Sequence, residues 1–311
     1  MNRTAFLFAG QGAQYVGMGR DLSEAFPDEF ARIRPAIDGL GIGLTEVCFD
    51  GPQERLTNTE YAQPGIYWVS WLARMALKKR LPELVPAATA GLSLGEFTAL
   101  AAAGAYSFED GLHIVHQRGK AMQKACESTS GGMAAIIGLE RDTLGPICAE
   151  YDVTMANLNC PGQIVVSGAT EAIQQVCVRA TEAGARRAMP LDVAGAYHSP
   201  LMSPAAETLE SVLEGMEIIP PAIPVISNVS ARPHESAEDI RQALVDQVCS
   251  SVQWEDSIRF LIQSGITAFV ELGPGKALSG FMKRIDKSVT VVNIEDAESL
   301  EKAVEILGNL S

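Results

Sequence analysis

Ser93 has the neighbours a nucleophile needs. It stands in Gly91-Leu92-Ser93-Leu94-Gly95, after the small-residue run Ala87–Ala90 and before the Ala-rich stretch Glu96–Ala103. These flanks read as strand, turn and helix, the setting of a nucleophile elbow. A serine projecting from so sharp a turn tolerates only small neighbours, and Gly91 and Gly95 meet that need. A helix starting at the turn aims its positive end at the site and favours negative charge there. The N–H of Leu94 can donate to an oxyanion. Taken alone, the pattern fits a tight structural turn equally well.

A serine hydroxyl needs a proton acceptor. The chain has four histidines. His234, in the polar segment Ala231-Arg232-Pro233-His234-Glu235-Ser236, reads as solvated. His113 and His116 share a helical face at i, i+3, but no third ligand accompanies them at metal-site spacing. His198 lies in Gly195-Ala196-Tyr197-His198-Ser199-Pro200, between a strand and a helix that Pro200 can open. It is the candidate base, with a satisfied, partly buried histidine as the alternative. Asp192 is the one acid that suits a triad by chain order, yet it ends a strand. A neutral orienting group would leave the imidazole uncharged at pH 7, which suits proton abstraction.

Arg118 is the third unusual residue. From Ser107, a helix N-cap, the pattern predicts a helix to about Cys126. Its apolar stripe holds Ile114, Val115, Met122 and Ala125, and Arg118 falls on that stripe. A guanidinium there needs a partner, either a protein carboxylate or an anionic ligand held by a planar two-bond fork.

The elements that must position these residues fall into two rhythms. Strand-like Thr4–Ala9 leads into Gly10-Gln11-Gly12, and Glu60–Arg80 is helical with Lys78-Lys79-Arg80 at its end. After the Ser/Thr/Gly-rich segment 128–132 the order changes to β-α-β-β-α-β: Met133–Leu139, Asp142–Tyr151, Val153–Asn157, Gln163–Ser167, Thr170–Ala183 and Arg186–Leu191. That order is the ferredoxin-like split βαβ. After His198 the first rhythm resumes with helix Pro204–Gly215, strand Pro224–Asn228, helix Glu238–Gln247, strand Thr267–Leu272, helix Lys276–Ile285, strand Val289–Ile294 and helix Ala297–Leu307. The expected fold class is α/β, a parallel-sheet core covered on both faces with an inserted ferredoxin-like subdomain. The core takes residues 1–129 and 196–311, and the subdomain 130–195.

Composition narrows the function. A net charge of −14 argues against nucleic acid and anionic membrane surfaces as partners. No apolar run approaches the roughly 20 residues of a membrane helix. The N-terminus shows no signal or transit pattern, and six scattered cysteines form no CxxC pair, so a cytoplasmic protein with free thiols is expected. Gly10-Gln11-Gly12 fails the dinucleotide pattern at Tyr15 and lacks the Gly-Lys-Ser/Thr of a P-loop.

Seven segments in order resemble the malonyl-CoA:acyl-carrier-protein transacylases of fatty-acid and polyketide synthesis. They are Phe8–Gln14 (FAGQGAQ), Gly91–Glu96 (GLSLGE), Gln117-Arg118-Gly119, Asn157–Gln163 (NLNCPGQ), Gly195–Pro200 (GAYHSP), Gln247 through Val252-Gln253-Trp254, and Glu271–Gly275 (ELGPG). The similarity covers essentially the whole chain and implies an α/β-hydrolase-like core. It implies Ser93 as nucleophile and His198 as base, with Gln11 and Leu94 as oxyanion-hole donors. Arg118 would fork the malonyl carboxylate, Gln247 would hold the imidazole through a carbonyl, and Asn159 would lie near the site. The implied partners are malonyl-CoA and the phosphopantetheine thiol of an acyl carrier protein, with no cofactor, no metal and a monomeric enzyme. Leu92 stands where many relatives carry His, which implies an altered pocket wall and unchanged chemistry. Tyr197 replaces a common Phe; an aromatic there goes with malonyl rather than branched acyl units. Ser250-Ser251 replaces a common Asn-Pro.

Overall fold

Strand β1 (Arg3–Phe8) shows why the larger sheet must be covered on both faces. Along it Phe6 and Phe8 join one buried cluster while Ala5 and Leu7 join a second, so both sides of the strand are apolar. The computed structural model describes residues 3–309. The chain ends at 1–2 and 310–311, which include the start of the expected N-terminal reading, lie outside the described residues. β1 pairs in parallel with β2 (Ala88–Gly91) on one side and with β7 (Ile266–Leu272) on the other. β8 (Thr290–Ile294) adds to β7, giving the all-parallel order β2-β1-β7-β8.

Between them the chain forms β3 (Gly131–Ile137), β4 (Thr154–Cys160), β5 (Gln163–Ala169) and β6 (Arg187–Pro190). These make a separate antiparallel sheet in the order β4-β5-β3-β6, with helices Arg141–Glu150 and Thr170–Glu182 in the crossovers. This is the ferredoxin-like arrangement. Its apolar side chains, Ala134, Ile136, Leu144, Ile164, Val166 and Val176 among them, form a cluster of their own. The fold class is thus as the sequence rhythm indicates: α/β, with a parallel sheet and a distinct antiparallel one.

Long helices carry the pattern expected of them. Thr59–Arg80 is capped by Asn58, whose side chain accepts from the Glu60 N–H, and ends in Lys78, Lys79 and Arg80. Phe108–Glu127 is capped by Ser107, accepting from the Asp110 N–H. One expected strand differs. Residues 224–228 form only isolated bridges, Thr89 with Val225 in parallel and Ile226 with Pro233 antiparallel. The chain turns back through Pro233 before a ladder can extend. Four short helices between Arg20 and Thr57, and the helix Trp254–Gln263, carry no expectation in the sequence pattern.

Candidate active site

The C-terminal ends of β1 and β2 meet at Ser93, where open α/β sheets place their ligands. Ser93 has φ 53° and ψ −106°, a left-handed conformation that non-glycine residues avoid, and the helix Leu94–Ala102 starts at once. A Cβ on Gly91 would lie 1.9 Å from the Gly95 carbonyl carbon, and one on Gly95 would lie 2.2 Å from the Phe8 oxygen. Both positions therefore require glycine. The Leu94 N–H opens its helix and has no carbonyl one turn back to bond. Gln11 faces the same cleft from the loop after β1.

Ser93 Oγ lies 2.8 Å from His198 Nε2, and His198 Nδ1 lies 2.8 Å from the main-chain oxygen of Gln247. A carbonyl oxygen only accepts, so the proton sits on Nδ1 and the lone pair of Nε2 faces the serine hydroxyl. Burial pushes the His198 pKa down to about 4; the nearby Arg118 cation adds to that, while the Gln247 carbonyl opposes it. The imidazole is neutral at neutral pH and correctly oriented to take a proton. Asp192 lines the cleft but is exposed, and both ring nitrogens of His198 are already engaged elsewhere.

Arg118 is 1% exposed. Its Nη1 donates to Gln63 Oε1 at 2.7 Å; its Nη2 donates to Gln247 Oε1 at 3.0 Å and to Ser93 Oγ at 3.1 Å. Its Nε has no hydrogen-bond partner, and its guanidinium carbon stands 5.1 Å from the Phe97 ring centre. Among the described residues no carboxylate forms an ion pair with it, so the salt-bridge alternative for this stripe position is not what the fold builds. Burial lowers its pKa to about 10 and Glu96 partly restores it, leaving a cation at neutral pH.

A serine, a neutral histidine and an unneutralised buried arginine converge within hydrogen-bonding distance of one oxygen. The model of the acyl transferase domain family matches residues 5–304 of the chain. The chain belongs to this family. This acyl transferase is 41% identical to the malonyl CoA-acyl carrier protein transacylase of Bacillus subtilis, over 99% of this chain and 98% of that one. Among solved structures, the malonyl CoA-acyl carrier protein transacylase of Coxiella burnetii superposes with a TM-score of 0.94 at 35% identity, covering 98% of this chain and 97% of that one. A type II polyketide-synthase acyl-carrier protein in complex with its malonyl-transacylase matches with a TM-score of 0.93 at 37% identity, over 98% of this chain and 99% of that one.

The other residues singled out in the acyl transferase's sequence fall around one cleft of about 390 Å³. Asn159, buried on β4, Leu92 and Tyr197 all line it. The Tyr197 hydroxyl meets the Gln11 side chain and the Cys126 thiol, and burial raises its pKa, so it stays a phenol. After Gln247 the chain passes Ser250-Ser251 and pairs with β4: Val252 N donates to Ala156 O at 2.8 Å, and Leu158 N donates to Val252 O at 3.0 Å. The carbonyl that orients His198 is thereby tied to the antiparallel sheet.

Three residues that hold the site carry no warning in the sequence. Gln63, fully buried, accepts from Arg118 and donates to Gln11 Oε1 at 3.4 Å. Asn228 accepts from the Ser93 N–H at 2.6 Å and donates from Nδ2 to the Gly91 oxygen at 2.7 Å, bracing the strained turn. Glu96 lies fully buried behind the elbow. A strand ending in Asn, or a Glu in a helix's first turn, is too ordinary to mark. His234 is a correction: it is buried, not solvated, with its ring between Glu96 and Asp239. His116 faces Glu60 at 3.6 Å, and among the described residues no group of three or more His, Cys, Asp or Glu could hold a metal.

Proposed function

We propose that the chain is a malonyl-CoA:acyl-carrier-protein S-malonyltransferase working by ping-pong transfer through a malonyl ester of Ser93. The observation that carries this reading is Arg118, a buried guanidinium 3.1 Å from the nucleophile and without a carboxylate partner. An acyl group ending in a carboxylate supplies what is missing. The identities of 36–41% to transacylases bearing that substrate in their names support it.

Acyl transfer begins when Ser93 Oγ gives its proton to His198 Nε2 and attacks the thioester carbonyl carbon. Charge on the carbonyl oxygen is stabilised by the N–H groups of Gln11 and Leu94; one such donor contributes about 2.7–4 kcal/mol. The tetrahedral intermediate collapses, the C–S bond breaks and coenzyme A leaves with the proton from His198. The phosphopantetheine thiol of the carrier protein then gives its proton to His198 and attacks the Ser93 ester; the C–O bond breaks and His198 returns the proton to Ser93 Oγ. Arg118 holds the distal carboxylate in both steps. Asn159 lies on the cleft wall beside the acyl chain, and Gln247 orients His198 through its main-chain oxygen. The reaction needs no cofactor, since the coenzyme A thioester is itself the substrate.

The same reading gives residues 1–129 and 196–311 to the core bearing nucleophile and base, and 130–195 to the small subdomain, supported by the separate sheets and clusters. The reading also makes the enzyme cytoplasmic and monomeric; separately, no helix among the described residues is long and apolar enough to cross a membrane. The acidic carrier needs a local basic surface on this acidic chain. Arg186 and Arg187 are exposed on the segment leading to the cleft, whereas Lys79, Arg80 and Arg284 are engaged within the protein.

Intact mass after mixing with malonyl-CoA, with and without carrier protein, tests the reading. A malonyl adduct on Ser93 discharged by the carrier is expected. Discharge to water at the same rate without the carrier would mark a hydrolase, and no adduct would mark a binding protein.

A further inference from the structure

Behind the elbow lies a second polar assembly that the transfer mechanism does not use. His234 Nε2 is 2.8 Å from Glu96 Oε1, and His234 Nδ1 is 3.1 Å from Asp239 Oδ2. A carboxylate oxygen only accepts, so each ring nitrogen must carry a proton to satisfy its neighbour. Both side chains of the central pair are fully buried. The other oxygen of Glu96 accepts from Gln247 Nε2 at 2.6 Å and from the Asn228 N–H at 3.1 Å. Gln247 Nε2 also donates to the Ser93 main-chain oxygen at 3.0 Å, and Gln247 presents Oε1 to Arg118.

We propose that His234 is an imidazolium at neutral pH, ion-paired with Glu96, and that this pair positions the nucleophile, base and arginine through Gln247 and Asn228. The geometry makes the role specific. Because ionised Glu96 cannot donate, it forces the NH₂ end of the Gln247 amide toward itself and leaves the oxygen end for Arg118. A neutral Glu96 would leave only the Ser93 main-chain oxygen to hold the NH₂ end, and an amide that turned would set two donors against a guanidinium. Asn228 is held at its main-chain nitrogen by Glu96 and braces Ser93 with its side chain. The charges then alternate from the surface inward: Asp239 negative, His234 positive, Glu96 negative, Arg118 positive. Arg118 is balanced at one remove, with neutral acceptors and no carboxylate bonded to its guanidinium.

The groups that bear on His234 are Glu96, from the helix after the elbow, and Asp239, from the helix Ala237–Cys249. Burial alone would lower its pKa, but the two carboxylates raise it above the ordinary value. Below that raised pKa the assembly is intact. As pH rises through it, a bare ring nitrogen comes to face a carboxylate, and the repulsion between them disturbs the placement of Glu96 on which Gln247 and Asn228 rest.

This proposal rests on Ser93 and His198 being nucleophile and base, and it can fail separately from that reading. Nitrogen-15 NMR of the ring-labelled wild-type chain reads His234 whether or not transfer occurs. Two protonated ring nitrogens at pH 7 are expected; one unprotonated nitrogen would overturn the proposal. The second readout is the rate of Ser93 acylation per titrated active site across pH. In the wild type it should fall on the alkaline side, as pH rises through the raised His234 pKa. His234→Gln, which keeps one donor to Glu96 but no charge, should be about tenfold slower at pH 7 and lack that alkaline fall. A purely structural residue would change the number of active sites and leave the profile as it was, and that result would also overturn the proposal. If His234→Gln does not fold, the NMR measurement on the wild-type chain decides.

Discussion

Two histidines lie on either side of Ser93, both buried, with opposite protonation. His198 faces a hydroxyl, a carbonyl and a cation, and its pKa falls to about 4. His234 faces two carboxylates, and its pKa rises. They are 4% and 8% exposed, so burial does not separate them; the sign of the neighbouring charge does. The same side chain is the proposed neutral base in one place and the proposed imidazolium against Glu96 in the other.

The largest expected effect comes from removing the neutral member. His198→Ala should slow Ser93 acylation about 10²–10⁴-fold in rapid-quench measurements. His234→Gln, at about tenfold, should fall well short of that. Equal losses would erase the distinction between base and support.

Arg118→Ala comes next. A charge-assisted bond of about 1.5–3 kcal/mol corresponds to about 10–150-fold, lost for malonyl-CoA and kept for acetyl-CoA. The cation also lowers the His198 pKa, so its removal should move the acid limb of acetyl kcat/KM upward from about 4 toward 6.5. Competition kinetics and a pH series on the variant check both. Equal loss of the two substrates would end the selectivity role.

The smallest effect is on stability, and its sign differs for the two rings. The folded His198 resists protonation, so between about 4 and 6.5 the unfolded chain binds more protons and stability rises with pH. The folded His234 holds its proton, so its contribution is full below 6.5 and is lost as pH rises through the raised value. Urea unfolding should show His234→Gln less stable than the wild type by about 1–3 kcal/mol at pH 6, with the gap narrowing toward alkaline pH. A gap independent of pH would mean that His234 is uncharged.

Much of the frame was legible before any coordinates. The apolar run in β1, the cap at Ser107, and the change of rhythm after residue 130 are local patterns that tertiary packing reinforces. Residues 224–228 were misread because five strand-like residues do not show that the chain reverses at Pro233. His234 was misread because a polar segment looks solvated when its partner, Glu96, is 138 positions away. Gln63 and Asn228 gave no signal, since amides become informative only when their partners are known.

The sequence by itself determined which groups could react. Only an elbow of this composition admits a residue at Ser93's conformation, because added Cβ atoms at Gly91 and Gly95 would overlap the neighbouring backbone. Arg118 on an apolar stripe announced a buried charge in need of a partner, a protein carboxylate or an anionic ligand. The tertiary structure decided what those groups are. Whether Arg118 meets a carboxylate, which nitrogen of His198 is free and whether His234 is charged all depend on atoms within about 3 Å that the chain supplies from distant positions. Electrostatic energy in a buried site is set at that range, and sequence spacing carries no record of it.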